Sequence, residues 1–246
     1  MSDPDGHFGE KVAAGYDDPA DRMNQAEAID PAVDLLAELA GGGAALELAI
    51  GTGRIGVPLA ARGVPVHGIE MSRAMVARLR GKPGGDAVAV TIGDMTTTRV
   101  DGAFTLAYLV FNTINNLTTQ ELQVACFRNV AEHLAPGGCF VIETGVPPLR
   151  LLPPGQDIHG YRASPGRIIS YSFDYATQRY SGHYAEFSGG TAEYRTIPFR
   201  YVWPSELDLM AQLAGLRLRD RWADWTREPF TSDSTSHISV WEKPVA

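Results

Sequence analysis

A chain of 246 residues, 44% hydrophobic and 20% charged, can bury the core of one α/β domain and carry an insertion without cross-links to hold it. Its 29 acidic against 21 basic residues leave a formal charge of −8, which argues against a phosphate-backbone partner and so against DNA or RNA as substrate. There is no apolar run long enough for a membrane span, the two cysteines (Cys126 and Cys139) offer neither a disulfide framework nor a metal spacing, and the start, Met1-Ser2-Asp3-Pro4-Asp5, is acidic and unlike a secretory signal. These features predict a cytoplasmic protein with no membrane and no metal partner, its thiols buried as small apolar groups.

In chain order, residues 5–40 read as helical with a break at Gly15-Tyr16-Asp17-Asp18-Pro19, and a second helix starts with Asp30 as N-cap and Pro31 in its first turn. Gly41 to Gly43 end it. The stretch that organises the chain comes next: an apolar run from Ala44 to Ile50, then Gly51, Gly53 and Gly56, a helix-compatible run from Ile55 to Ala61, and a second apolar run from Val64 to Ile69 ending at Glu70. This is a βαβ unit with an acid at its second strand tip, the arrangement that holds a nucleoside. Glycine supplies the positive φ of the tight turn and lets a ligand lie against the backbone. Glu70, about 20 residues past the turn, stands where a carboxylate accepts ribose hydroxyls. Gly51-x-Gly53-x-x-Gly56 also matches the dinucleotide fingerprint, which keeps an NAD-dependent oxidoreductase as an alternative. Glu47, inside the first strand, argues against it: a carboxylate there repels pyrophosphate and attracts a cationic amino acid.

Glu47-Leu48-Ala49-Ile50-Gly51-Thr52-Gly53 resembles the first motif of the class I S-adenosylmethionine (SAM) dependent methyltransferases, acid-x-Gly-x-Gly-x-Gly, with Ala49 in place of the first glycine. The resemblance implies a Rossmann-like doubly wound sheet with an antiparallel C-terminal hairpin. It also implies SAM as cofactor, S-adenosylhomocysteine as product, and contacts to that cofactor from Glu47, Ala49, Gly51, Gly53, Glu70 and Met71. The N-terminal region is then a lid, with the Tyr16 ring near the sulfonium.

Beyond Glu70, Ser72 is placed to cap a helix carrying Met75, Val76 and Leu79, and Ala87 to Ile92 reads as a third strand. It ends at Gly93-Asp94-Met95, where the resemblance implies adenine contacts from the Asp94 carboxylate and the Met95 backbone. Phe104 to Val110 is a fourth strand delivering Phe111-Asn112-Thr113-Ile114-Asn115-Asn116 to the same edge. Asn112 is expected to face the cofactor and Asn115 the acceptor. Thr118 with Glu121 reads as a capping box, and Gly137-Gly138 as the stop before a fifth strand at 139–143.

Residues 144–203 change character. Three runs rich in aromatic and β-branched residues, 167–175, 179–187 and 192–203, predict a small inserted antiparallel sheet. Tyr175, Tyr201 and Trp203 are its candidate acceptor contacts, and the sheet is a candidate homodimer surface. A helix capped by Ser205, strands at 216–225 and 238–243, and a polar loop ending at His237 complete the chain. His237 is the one candidate base.

The expected division is therefore a lid at 1–43, a SAM-binding core at 44–143, a capping insertion at 144–203 and a completing segment at 204–246. The expected activity is methyl transfer to an N or O nucleophile of a small-molecule acceptor, with a non-catalytic SAM-binding protein as a further alternative. An amine acceptor needs no dedicated base, whereas an alcohol or phenol needs one.

Overall fold

The computed structural model describes residues 5–19, 21–164 and 166–245, so the first four residues of the acidic N-terminus lie outside it. The N-terminal helical region is a short helix α1 (Glu10–Gly15), a 3-10 turn and α2 (Ala26–Ala40). Then follow β1 (Ala45–Leu48), α3 (Gly56–Ala61), β2 (Val66–Glu70), α4 (Arg73–Arg80), β3 (Ala89–Ile92), β4 (Phe104–Leu109), α5 (Gln120–His133) and β5 (Leu134–Gly145). β6 (Ile158–Ser164), β7 (Arg167–Asp174), β8 (Arg179–Ser188) and β9 (Thr191–Arg200) precede α6 (Pro204–Leu213), β10 (Arg217–Trp222) and β11 (Ser236–Glu242).

The main sheet has seven strands in the order β10-β11-β5-β4-β1-β2-β3. β1 to β5 pair in parallel, while β11 runs antiparallel to β5 and β10 antiparallel to β11. Strands buried on both faces need apolar residues on both, and β5 shows the alternation: Cys139 and Val141 pack with α2 and α3, Phe140 and Ile142 with α5 and α6. Both cysteines are buried, and burial pushes their thiols up, Cys126 to about 12 and Cys139 to about 11. On the α5 side Phe127, Phe140 and Trp241 meet edge to face at 5.1 and 5.4 Å, the geometry favoured by ring quadrupoles.

A second sheet, antiparallel in the order β6-β7-β8-β9, stands between β5 and α6 in the chain. It has four strands, not the expected three. The extra one, β6, is led by a polar, Gly-containing stretch that carries little alternation. Arg200 at the end of β9 anchors this sheet: it is buried, donates to Glu206 of α6 at 2.7 Å and also donates to Gln123 of α5. In a site this dry a paired guanidinium is held far more firmly than at the surface.

Several boundaries differ from those the sequence suggests. α2 starts four residues before Asp30, with Gln25 at its N-cap and Pro31 in its interior. The ring there removes one intrahelical bond, which the buried Ala32, Val33, Leu35 and Leu36 offset. Ser72 caps α4 as expected, accepting from the Met75 N–H at 3.1 Å. α5 is capped by Thr119, which accepts from the Leu122 N–H, and not by Thr118. α6 starts at Pro204 with no side-chain cap, so Ser205 lies within it. β5 begins at Leu134, before Gly137-Gly138: Gly137 turns left-handed at φ 80° yet its N–H donates to the Lys243 carbonyl at 2.8 Å, so the strand runs on through an irregularity.

Candidate functional site

The carboxyl ends of β1, β2, β4 and β5 meet beneath the second sheet. After β1 the backbone turns through three left-handed residues, Ala49 (φ 50°), Gly51 (φ 58°) and Gly53 (φ 76°). Glycine bears such φ without a Cβ clash; Ala49 holds it at a cost, and its presence marks a turn fixed by its surroundings. Glu70 fixes it. One carboxylate oxygen accepts from the Gly51 N–H at 2.8 Å and the other from the Ser72 N–H at 2.8 Å. Burial raises the Glu70 pKa, and the backbone N–H groups of Ser72, Gly51 and Met71 oppose the rise.

Glu47 lies deeper, under the start of α3. It accepts from the Tyr108 hydroxyl at 2.9 Å, and a Cβ at Gly56 would run into its carboxylate. Burial pushes its pKa up to about 8, against the hydrogen bonds from Tyr108 and Gly56.

The N-terminal segment lies across this turn. The Ser72 hydroxyl donates to the Phe8 carbonyl at 2.7 Å, and Asp17 accepts from the Thr52 hydroxyl at 2.7 Å and from Lys82 at 2.8 Å. Tyr16 is thereby held beside the Arg54 guanidinium, which lies 4.9 Å from the Tyr16 ring centre and 4.5 Å from that of Phe111. Burial raises the Tyr16 pKa and Arg54 lowers it.

Phe111 and Asn112 are consecutive left-handed residues, at φ 56° and 60°. The end of β5 holds them: Phe111 N–H donates to Glu143 at 2.9 Å, and the Asn112 side-chain oxygen accepts from the Gly145 N–H at 2.6 Å and the Thr144 hydroxyl at 3.2 Å. Glu143 also accepts from the Trp225 indole at 3.1 Å, and burial raises its pKa.

These ends surround a cavity of about 690 Å³, within the range of small-molecule sites. Tyr16, Ala49, Gly51, Glu70, Asn112, Asn115 and Tyr201 all line it. The remaining expected residues do not. Glu47 and Gly53 sit behind the turn. Asp94 is turned back on its own chain, accepting from the Thr96 N–H and hydroxyl, each at 2.7 Å, and the Met95 carbonyl accepts from Asn129. Met71, Tyr175 and Trp203 are exposed, and the Tyr175 hydroxyl donates to the Gln156 carbonyl.

His237 is displaced most from its expected role. It is wholly buried, shares a hydrogen bond with the Ser239 hydroxyl at 2.8 Å and packs on Phe230, outside the cavity lining. Burial lowers its pKa to about 4, so it is a neutral packing residue at ordinary pH. Its period-two register puts it on the face of β11 shared with Ser239 and Trp241, toward α6.

The sequence reading missed Arg54, Glu143, Tyr180 and Phe199. Glu143 carried the signal already used for Glu70, an acid at the tip of an apolar strand. The aromatic residues of β8 and β9 could not be sorted by face until the register was known: Phe173, Tyr180 and Phe199 are cross-strand neighbours on the cavity side.

The description of a methyltransferase domain matches residues 45–138. The structure superposes on the CcbJ methyltransferase from Streptomyces caelestis with a TM-score of 0.85 and 31% identity, covering 97% of this chain and 98% of that one. The chain belongs to the class I SAM-dependent methyltransferases. Its methyl donor is therefore SAM, which removes the nicotinamide alternative that the glycine spacing had left open. The methyltransferase is also 26% identical over 202 residues to a cypemycin N-terminal methyltransferase from a Streptomyces species, spanning 80% of this chain and 82% of that protein. It shares its fold, at a TM-score of 0.67 and 21% identity, with the SAM-bound amino pentose methyltransferase CalS10 from Micromonospora echinaspora, over 94% of this chain and 95% of that one. Among the described residues of the methyltransferase, no helix is long and apolar enough to cross a membrane and no group of side chains could hold a metal ion.

Proposed function

We propose that this methyltransferase transfers the methyl group of SAM to an amine nitrogen of a small-molecule acceptor. The observation that carries the reading is the make-up of the cavity. Its turn end is backbone and carboxylate; its other wall is neutral aromatic, from Tyr171, Phe173, Tyr180, Tyr184, Phe199 and Tyr201. Among the described residues lining it there is no histidine, and its two carboxylates, Glu70 and Glu143, are each tied to two N–H donors. An alcohol needs a base to lose its proton on attack; an amine enters as the free base and needs none. The names of two relatives agree, one an N-terminal and one an amino pentose methyltransferase.

The donor end fits SAM. Each Glu70 oxygen accepts one backbone N–H and has acceptor capacity left for a ribose hydroxyl. Arg54, beside the turn, is a cation for the carboxylate of the donor's amino-acid end, and Glu47 beneath the turn, its carboxyl pushed up to about 8, favours the positive charge at the same end once ionised. The Tyr16 and Phe111 rings hold the Arg54 guanidinium at their faces and so keep a cation at this end of the cavity. Asp94 meets Thr96 through Oδ1 alone, which leaves Oδ2 as an acceptor for an adenine amine. When bound, SAM supplies a methyl group activated by its positive sulfur. The protein's own part is alignment and exclusion of water: residues 5–19 close over the turn through Ser72, Thr52 and Lys82, and the aromatic wall fixes the acceptor.

In this reading residues 1–43 act as the lid, 44–143 with 204–246 as the donor-binding core and 144–203 as the acceptor wall. The test is SAM turnover, read as S-adenosylhomocysteine release, against paired amines and alcohols of matched shape. Turnover of an amine supports the reading; methylation of alcohols alone refutes it.

A further inference from the structure

We infer that Asn115 orients the acceptor amine through its side-chain oxygen and that Tyr180 holds it in position to do so. The inference rests on the amine reading above and adds the group that aims the nitrogen.

Asn115 lies in the 3-10 turn Thr113–Asn116 that follows β4, lines the cavity and is 7% exposed. Its Nδ2 donates to the Tyr180 hydroxyl at 3.3 Å, and its Oδ1, fully buried, has no hydrogen-bond partner among the described residues. A buried acceptor left unpaired is costly and needs a partner to account for it, and a ligand N–H in the adjoining cavity supplies one. The Tyr180 hydroxyl accepts from Nδ2, and this sets the oxygen as the free end; the exchanged amide would present an N–H donor instead. With the oxygen assigned as here, the orphan suits an N–H. The neighbouring Asn112 differs, since its oxygen already accepts from Gly145 and Thr144.

Tyr180 is a fixed strut. Its ring is stacked between Phe173, at 5.5 Å, and Phe199, at 5.0 Å, so its hydroxyl reaches from the second sheet to the turn after β4. Burial keeps this phenol protonated and uncharged.

An amide oxygen suits the task. It accepts one N–H of a free amine and so turns the lone pair away from itself, and it does not take the proton. The nitrogen lone pair forms the new N–C bond, the C–S electron pair stays on sulfur, and the surplus proton of the resulting ammonium leaves to water. An alcohol presenting its O–H to Asn115 would keep its proton, because an amide oxygen accepts the hydrogen bond without taking the proton.

The experiment uses the full chain with SAM and matched pairs, D-glucosamine with D-glucose and 2-phenylethylamine with 2-phenylethanol among them, together with calorimetry of S-adenosylhomocysteine. The expected result is amine turnover by the wild type. Asn115→Leu should lower kcat about 100-fold, with KM and S-adenosylhomocysteine affinity within about threefold. Asn115→Asp, which keeps an acceptor oxygen that the Tyr180 hydroxyl can now donate to, should recover about a tenth of wild-type kcat and add an ionisation to the pH profile. Tyr180→Phe should lower kcat about tenfold. If Asn115→Leu does not fold, Asn115→Ser takes its place. Wild-type rates in the Leu or Ser variant overturn the role of Asn115 and leave the amine reading standing. A loss matched by lost S-adenosylhomocysteine affinity, or an Asp variant no better than Leu, makes the residue structural and also overturns it. No amine turnover by the wild type sinks the amine reading and the inference together.

Discussion

Replacing Glu70 by alanine tests the donor end most directly. Its two oxygens each accept a backbone N–H at 2.8 Å, one from Gly51 in the turn and one from Ser72 at the start of α4. The carboxylate therefore builds the site as well as serving it, and the substitution has two separable effects. Loss of a charge-assisted bond to ribose weakens binding by about 1.5–3 kcal/mol, or roughly ten- to hundredfold in Kd. Loss of the support to Gly51 and Ser72 destabilises the free protein by about 1–3 kcal/mol, reduced from the sum of two bonds because a buried carboxylate is itself costly. For a chain of this size that is roughly 3–9 °C in Tm. Calorimetry with S-adenosylhomocysteine and with 5′-methylthioadenosine, both carrying the ribose, should show the same weakening for each. Unchanged Kd for both would refute the ribose assignment, whatever happened to Tm.

Glu47→Gln should flatten the pH dependence of stability. The wild-type carboxyl is held at about 8, above its ordinary 4.5, so its stabilising contribution is complete below about pH 4.5 and is lost as pH rises through 8. The Gln variant should therefore gain on the wild type in Tm as pH rises from 4.5 to 8, and a constant difference across that window would contradict the burial argument. His237→Asn should leave kcat within about threefold, since the ring is outside the cavity lining, while a hundredfold fall in a folded variant would restore it as a base. The histidine pKa is lowered to about 4, so wild-type stability contributed by this group is present above pH 6.5 and lost as pH falls through 4; the Asn variant should lack that acid-side loss in thermal melts. Gly53→Ala should cost about 2–4 kcal/mol in denaturant unfolding, because φ is +76° and a Cβ would meet Val57 at 2.8 Å and Leu79 at 3.0 Å; a loss below 1 kcal/mol would show that the turn relaxes. Asp17→Ala, which unties the N-terminal segment from Thr52 and Lys82, should speed S-adenosylhomocysteine release about three- to tenfold in stopped flow, a modest effect because the pair is partly exposed.

The β1-turn-α3-β2 unit was legible because each step has one physical solution. An apolar run ending in glycines and resuming toward an acid leaves little else to build, and Glu70 stands at the strand tip as its position suggested. The apolar strand at 104–109 and the 139–143 part of β5 were legible for the same reason. What eluded sequence reasoning depends on facing. An aromatic residue in or beside β7 to β9 looks alike on either side of a sheet; Tyr175 and Trp203, just past the strand ends, face outward, whereas Tyr180 and Phe199 face the cavity. Asp94 was placed at the correct strand end, but its bond to Thr96 is a local choice that a strand pattern does not encode. His237 read as a loop end, and only its pairing with Thr144 puts it inside the sheet. The left-handed pair Phe111-Asn112 was invisible because neither residue is glycine and the bonds that hold it come from β5, thirty residues away.

The second sheet leaves the main one after β5 and returns before α6 as a single uninterrupted excursion, tied down at its exit by Arg200. In the proposed reading this excursion is one wall of the acceptor pocket, so drift or engineering within 158–199 redraws that wall while Asn115 and the turns after β1, β2 and β4 stay with the main sheet.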